Sequence, residues 1–248
     1  EVAMFQMGGY ATTLGQAEIG LGVRETIEDV ARVLSRWIDG IACRTTSHSD
    51  LEELATKSSV PVINALTDVE HPTQGLADLL TIQEIHGDIA NVCITFIGDG
   101  DNVAASLALG ATAIGAEVRI CSPEGYDLPS QIISKAQTLA TNSGGSFDLV
   151  RDPEKAVLQA HVVYTDVWTS MGLEAEADMR RKVFSRYQVN PALMSLAHPK
   201  AIFMHNMPVH YGEEVPEGFL DNQYSVAYDQ AENRLHTLKA VLESLIGD

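Results

Sequence analysis

Val60-Pro61-Val62-Ile63-Asn64-Ala65-Leu66, then His71-Pro72-Thr73-Gln74-Gly75-Leu76-Ala77-Asp78, then Val92-Cys93-Ile94-Thr95-Phe96-Ile97 follow one another as strand, helix and strand. The outer two are short apolar runs, the pattern of strands buried on both faces of a parallel sheet. The middle stretch continues through Leu79, Leu80, Ile82 and Ile85 as a helix. Pro72 suits its first turn, where a missing N–H costs nothing. His71 and Gln74 are three residues apart and share one face at the helix start, where free N–H groups form a ready anion site. Two readings stand at this point. One is an ordinary helix cap carrying a polar histidine; the other is a pocket for a small phosphate or a polarised carbonyl oxygen.

Working outward, the alternation continues. Towards the amino end, Thr26-Ile27-Glu28-Asp29 opens a helix with Thr26 as N-cap and Asp29 in the capping-box place. Gly40-Ile41-Ala42-Cys43 reads as a buried strand ending at Arg44, and Ser49-Asp50-Leu51-Glu52-Glu53-Leu54 as a second capped helix. Tyr10 to Leu14 reads as a further short strand. Towards the carboxyl end, strands are expected at 117–121, 147–150, 162–165 and 201–204. Helices are expected at 103–114, 130–142, 153–159, 173–184 and 230–246. Strands of four to six residues alternating with helices mean βαβ units and a parallel sheet. A break at Gly87 to Ala90 separates two such sets. The expectation is therefore an α/β chain of two domains, each a parallel sheet flanked by helices, linked by long interdomain helices. Its divisions fall at 1–86, 87–228 and a returning helix at 229–248.

Composition narrows the partners. The 248 residues carry a formal charge of −18, which argues against nucleic acid and anionic membranes, since both demand basic patches. It does not argue against a small anion in a local basic pocket. No apolar run reaches the length of a membrane span. The three cysteines, Cys43, Cys93 and Cys121, lie in strand-like contexts without metal-ligand spacing. They read as reduced thiols of a cytoplasmic protein. The opening Glu1 to Gly9 looks like the last turns of a helix closed by glycine, so the chain is expected to begin inside a domain.

In open parallel sheets ligands bind beyond the carboxyl ends of the strands. Here those ends carry Arg44, then His71 and Gln74, then Gly98-Asp99-Gly100-Asp101-Asn102. They are followed by Asp166-Val167-Trp168-Thr169-Ser170-Met171-Gly172 and by His205-Asn206-Met207-Pro208. Each has a plain structural reading: a surface arginine, a helix cap, a tight turn. Each also has a chemical one. Arg44 would hold a phosphate bidentately, and Asp166 with Ser170 would grip an ammonium group. Gly98-Asp99-Gly100 would be a nucleotide loop, although Val103 stands where the last glycine of the dinucleotide fingerprint belongs. The acidic run Glu174 to Asp178 reads as a solvated helix face.

Taken together, His-Pro-x-Gln-x-Leu-Ala-Asp, Gly-Asp-Gly-x-Asn, Asp-x-Trp-x-Ser-Met-Gly, the His-x-x-Pro turn and Asp-Gln-Ala-Glu-Asn-Arg closely resemble the aspartate/ornithine carbamoyltransferase family, in order and over essentially the whole chain. The Ser-Met-Gly loop at 170–172 points to the ornithine branch. The resemblance implies transfer of a carbamoyl group from carbamoyl phosphate to the δ-amine of L-ornithine, giving citrulline and phosphate in arginine metabolism. It also implies a homotrimer or multiple of trimers, and neither metal nor organic cofactor. By the same likeness, Arg44, His71, Gln74, Met207 and Arg234 would bind carbamoyl phosphate. Asn102, Asp166, Ser170 and Met171 would bind ornithine. His71, Arg44, Asp166 and Asn206 would stand at the reacting centre.

Three departures from the pattern are expected to matter. The family's Ser-Thr-Arg-Thr-Arg phosphate loop belongs before residue 1. Asn206 stands where ornithine enzymes carry cysteine, and an amide cannot act as a thiolate base. Gly20 falls where a neighbouring subunit usually offers His or Gln. The alternatives are a carbamoyltransferase for another amine or amino acid, a catalytically silent binding paralogue and, last, a dinucleotide oxidoreductase.

Overall fold

The computed structural model describes residues 1–170 and 172–247. In chain order the elements are α1 (Val2–Gln6), α2 (Gln16–Ile19), α3 (Ile27–Leu34), β1 (Ile41–Arg44), α4 (His48–Lys57), β2 (Val62–Leu66) and α5 (Pro72–His86). There follow β3 (Cys93–Ile97), α6 (Asn102–Ala113), β4 (Glu117–Cys121), α7 (Ser130–Ser143), β5 (Ser146–Val150), α8 (Pro153–Ala156) and β6 (Val162–Thr165). The chain closes with α9 (Ala177–Phe184), α10 (Pro191–Met194), β7 (Ile202–His205) and α11 (Ala227–Ile246).

The strands form two sheets, both parallel: β1-β2, and a larger one in the order β5-β4-β3-β6-β7. Every residue of β3 and β6 is buried, which is why their sequences are largely apolar runs. The chain winds outward from β3 to β5, then returns to lay β6 on the other side of β3. The switch point therefore lies between β3 and β6, which stay paired to Ile97 and Thr165, and the loops beyond them diverge at the crevice where ligands bind in such sheets.

Two long helices tie the sheets together. Along α5 and α11, Gln230 Nε2 donates to Asp78 Oδ1 (2.7 Å), and Asn233 Nδ2 to Thr81 Oγ1 (3.0 Å) and Glu84 Oε2 (2.7 Å). On its other side α5 sits tight on α6. A Cβ on Gly75 would lie 3.2 Å from Ser106 Cβ, and one on Gly110 would lie 2.9 Å from a Leu79 methyl. The small residues of α6 are what let two helices approach this closely.

Several local expectations change. Tyr10 to Leu14 forms no strand; Tyr10 is 86% exposed, and the segment pairs with no neighbour among the described residues. The cap of α4 is Ser47, not Ser49, because Ser47 Oγ is the acceptor that the Asp50 N–H reaches. The capping pair of α3 is as expected, with Thr26 Oγ1 accepting from Asp29 N (3.1 Å) and donating to Asp29 Oδ2 (2.8 Å). The acidic run is not wholly solvated, since Glu176 Oε2 accepts from Arg180 Nε at 3.0 Å. No described helix is long and apolar enough to cross a membrane.

Candidate functional site

His71 is the N-cap residue of α5 and 4% exposed; its main-chain N–H donates to Ser106 Oγ (2.7 Å) across the α5–α6 contact. Burial, reinforced by the nearby Arg234 and Arg44 guanidinium groups, lowers its pKa to about 4. The imidazole is therefore neutral at ordinary pH. Arg44 ends β1 at a register slip, exposed, and Arg234 lies half-buried on α11. Neither arginine forms an ion pair among the described residues. Two guanidinium groups without acid partners beside a neutral imidazole make an anion site, and the rest of the chain's strong negative charge leaves it a local feature.

Gln74 stands one turn along, 1% exposed. Its Nε2 donates to Asp78 Oδ1 (2.8 Å), while its Oε1 is buried without a partner. A buried acceptor left unsatisfied is costly, and a ligand N–H would satisfy it.

Across the crevice, β3 runs into Gly98-Asp99-Gly100 and then α6. Asp101 caps α6, accepting from Val103 N (3.0 Å) and Ala104 N (3.3 Å). Asn102 Nδ2 donates to Thr67 O at 2.6 Å, reaching back towards the first sheet. Asp166, after β6, accepts from Val167 N (2.7 Å) and is 6% exposed. Burial raises its pKa to about 7, against the opposing pull of that N–H and of the Asn206 amide. Burial and the Asp166 charge push Asp101 well above the usual carboxylate range. A buried carboxyl with a raised pKa is one whose ionisation a bound cation would favour.

The Gly98-Asp99-Gly100 turn is packed against the chain itself. A Cβ on Gly100 would lie 2.3 Å from Leu128 N and 2.4 Å from Asp127 C. The close approach this glycine permits is filled by the chain's own backbone.

The turn after β7 is held from behind. His205 is fully buried; its Nδ1 accepts from Met207 N (2.9 Å), which leaves the ring proton on Nε2 to face Glu214 Oε1 (3.2 Å). Met207 is left-handed, at φ +57°. Asn206, between them, keeps Oδ1 without a partner. Ser170 is half-buried, and its carbonyl accepts from Leu173 N (3.1 Å). Met171 lies outside the described residues.

The structure thus groups His71, Gln74, Arg44 and Arg234 on one side of the crevice, and Asp166 with Asn206 on the other. Several participants carried no functional signal in the sequence. Asp78 and Gln230 lie in recognisable motifs, but nothing there separates a working side chain from a structural one. Arg180 is 7% exposed and pairs with Asp99 while donating to Trp168 O (3.0 Å), anchoring the loop after β6. It sits in an acidic helix whose pattern marks nothing.

The carbamoyl-phosphate-binding domain of aspartate/ornithine carbamoyltransferases matches residues 1–84, and the Asp/Orn-binding domain of the same enzymes matches residues 90–245. The ornithine carbamoyltransferase of Pyrococcus abyssi is 51% identical over 247 residues, 100% of this chain and 78% of that protein. The solved ornithine carbamoyltransferase of Pyrococcus furiosus superposes with a TM-score of 0.97 at 51% identity, covering 100% of this chain and 79% of its own. That of Gloeobacter violaceus gives 0.90 at 42% identity, covering 99% and 80%.

Proposed function

The chain belongs to the aspartate/ornithine carbamoyltransferase family, and from that premise we propose that it transfers the carbamoyl group of carbamoyl phosphate to the δ-amine of L-ornithine, giving L-citrulline and phosphate. One observation carries the reading of the site: the unsatisfied Oε1 of Gln74 beside neutral His71. An acceptor next to a potential donor is the complement of a carbamoyl group, which offers –NH₂ and C=O side by side.

Residues 1–86 supply the carbamoyl phosphate side, with Arg234 reaching it from the returning helix; residues 87–228 supply the amino-acid side. Arg44 and Arg234 draw the phosphate. Thr73 Oγ1 lies 3.3 Å from both Ala65 O and His71 Nδ1, so its single proton goes to one of them. When it goes to Nδ1, the ring proton sits on Nε2 and donates to the carbamoyl oxygen. Attack by the amine builds negative charge on that oxygen, where a preorganised donor and two guanidinium groups act most strongly. Asp166, Asn102 and Ser170 hold the amino acid's charged end. Met207 carries the turn, placing Asn206 at the reacting centre. Phosphate leaves with the electron pair of the broken C–O bond, and the amine loses its proton. Holding two substrates together supplies much of the remaining acceleration.

The exposed apolar side chains Phe5, Tyr10 and Val23, all more than 80% exposed, support assembly as a trimer or multiple of trimers. A cytoplasmic location fits the free cysteines. The reading is tested on the protein as its gene encodes it: citrulline must form from carbamoyl phosphate and ornithine. A folded protein that binds carbamoyl phosphate without forming citrulline would instead be a silent binding paralogue. Asn206 favours a second reading, a different acceptor amine, which an amine panel resolves.

A further inference from the structure

Four buried groups form a hydrogen-bonded line from the second sheet to the first. The His205 main-chain N–H at the end of β7 donates to Gln230 Oε1 (2.8 Å). Gln230 Nε2 donates to Asp78 Oδ1 (2.7 Å), and that same oxygen accepts from Gln74 Nε2 (2.8 Å). The line has only one polarity. A main-chain N–H can only donate, so Gln230 must turn its oxygen to His205 and its –NH₂ to Asp78. Asp78 Oδ1 is then an acceptor, so Gln74 must turn its own –NH₂ inward. What remains for the crevice is Gln74 Oε1, the buried acceptor with no partner. Gln230, Asp78 and Gln74 are all at most 1% exposed, so water is not there to restore either amide once turned over.

We propose that Asp78 and Gln230 are positioning residues that lock the amide of Gln74 with its oxygen outward, and that this lock is what selects a carbamoyl –NH₂ over other acyl groups on the phosphate donor. An amide free to turn over would present –NH₂ as easily as oxygen, would accept an ester oxygen in place of –NH₂, and would separate a carboxamide from a methyl ketone less sharply. With the amide locked, a donor lacking the –NH₂ leaves Oε1 unsatisfied, which a buried acceptor tolerates poorly. The line crosses from α11 and β7 to α5, so selection on one side of the crevice is set from the other. The inference rests on Gln74 meeting the carbamoyl nitrogen, as proposed above.

The test uses two phosphonates of equal size, phosphonoacetamide and acetonylphosphonate, which differ only in –NH₂ against –CH₃. Calorimetry on the full-length protein gives the ratio of their affinities. Wild-type protein is expected to favour the amide about tenfold or more. Asp78→Leu lowers the ratio severalfold, and Gln230→Met does so at pH 6, where a protonated Asp78 no longer held as an acceptor by Gln230 can turn its O–H to Gln74 Oε1. Asp78→Asn keeps it, because its Oδ1 still accepts from both glutamines. If Asp78→Leu does not fold, Gln230→Met at pH 6 carries the test. A merely structural role would weaken both ligands equally and leave the ratio intact in all variants; that outcome overturns the lock while the carbamoyltransferase reading stands. Equal affinities in wild-type protein would remove the role of Gln74, and the lock with it.

Discussion

Asp101 and Asp166 stand beyond the carboxyl ends of the neighbouring strands β3 and β6, and the charge of Asp166 adds to the burial that raises Asp101's cost of ionisation. Neither forms an ion pair among the described residues. Their placement is the arithmetic of the switch point, where two strand ends are adjacent and their loops diverge.

The first prediction concerns this pair. A bound ammonium group favours the charged carboxylates, so ornithine binding should release protons near neutral pH, where Asp166 titrates at about 7. Affinity should fall as pH drops below 7. Calorimetry in buffers of different ionisation enthalpy reads the proton count. Asp166→Asn should weaken ornithine at least tenfold and reduce the proton release; release as large as in wild-type protein would place the effect elsewhere.

His71 is neutral above about pH 4, so it should contribute no limb to the pH–rate profile between 5 and 9. His71→Ala should still lower kcat by about 10²–10³, the cost of removing one donor to a developing oxyanion. Thr73→Val should remove the hydroxyl that can fix the ring proton on Nε2. Its expected signature is a lower kcat with KM for carbamoyl phosphate nearly unchanged.

Burial raises Asp78 to about 7, against the hydrogen bonds of Gln74 and Gln230. A carboxyl whose pKa is higher in the folded state binds more protons there, so its contribution to stability is fully present below about pH 4. It is lost as pH rises towards 7. Denaturant titrations should show wild-type protein losing stability relative to Asp78→Asn over that window, by a few kcal/mol, with no further divergence above pH 8.

A Cβ on Gly100 would collide with the backbone of Asp127 and Leu128. Backbone cannot be moved as a flexible side chain can, so Gly100→Ala should destabilise the protein by about 2 kcal/mol or more. Thermal unfolding checks this, and a shift of less than a degree in Tm would contradict the packing described.

Asn206 keeps an unpaired Oδ1 at the turn after β7. Asn206→Cys should alter the rate with ornithine more than the affinity for carbamoyl phosphate. An unchanged amine preference in that variant would remove residue 206 as a specificity determinant.

Much of the architecture was legible because strand and helix periods are local. The runs at 92–97 and 162–165 give their strands to within a residue, since full burial on both faces leaves a largely apolar signature, and 117–121 gives its strand through the alternation of Glu117 and Arg119 with buried Val118 and Ile120. Tyr10 to Leu14 also reads locally as a strand yet pairs with no described strand, and a partner is a non-local property. The caps were legible where one acceptor was available, at Thr26. They slipped where two competed, at Ser47 and Ser49, because only the path of the backbone decides which hydroxyl the Asp50 N–H meets.

The sequence by itself determined the chemistry on offer at the strand ends: an imidazole and an amide opening α5, two carboxylates near β3 and β6, and arginines at Arg44 and Arg234. It determined these because residue type and position along a parallel strand are written in the chain. Only the tertiary structure decided their states. Whether His71 is neutral depends on burial and on two guanidinium groups 27 and 163 positions away in the chain. Which end of Gln74 faces the crevice depends on Asp78, Gln230 and His205, brought together by the packing of α11 on α5 and β7. Charge and hydrogen-bond direction are properties of an environment, and distant parts of this chain supply it.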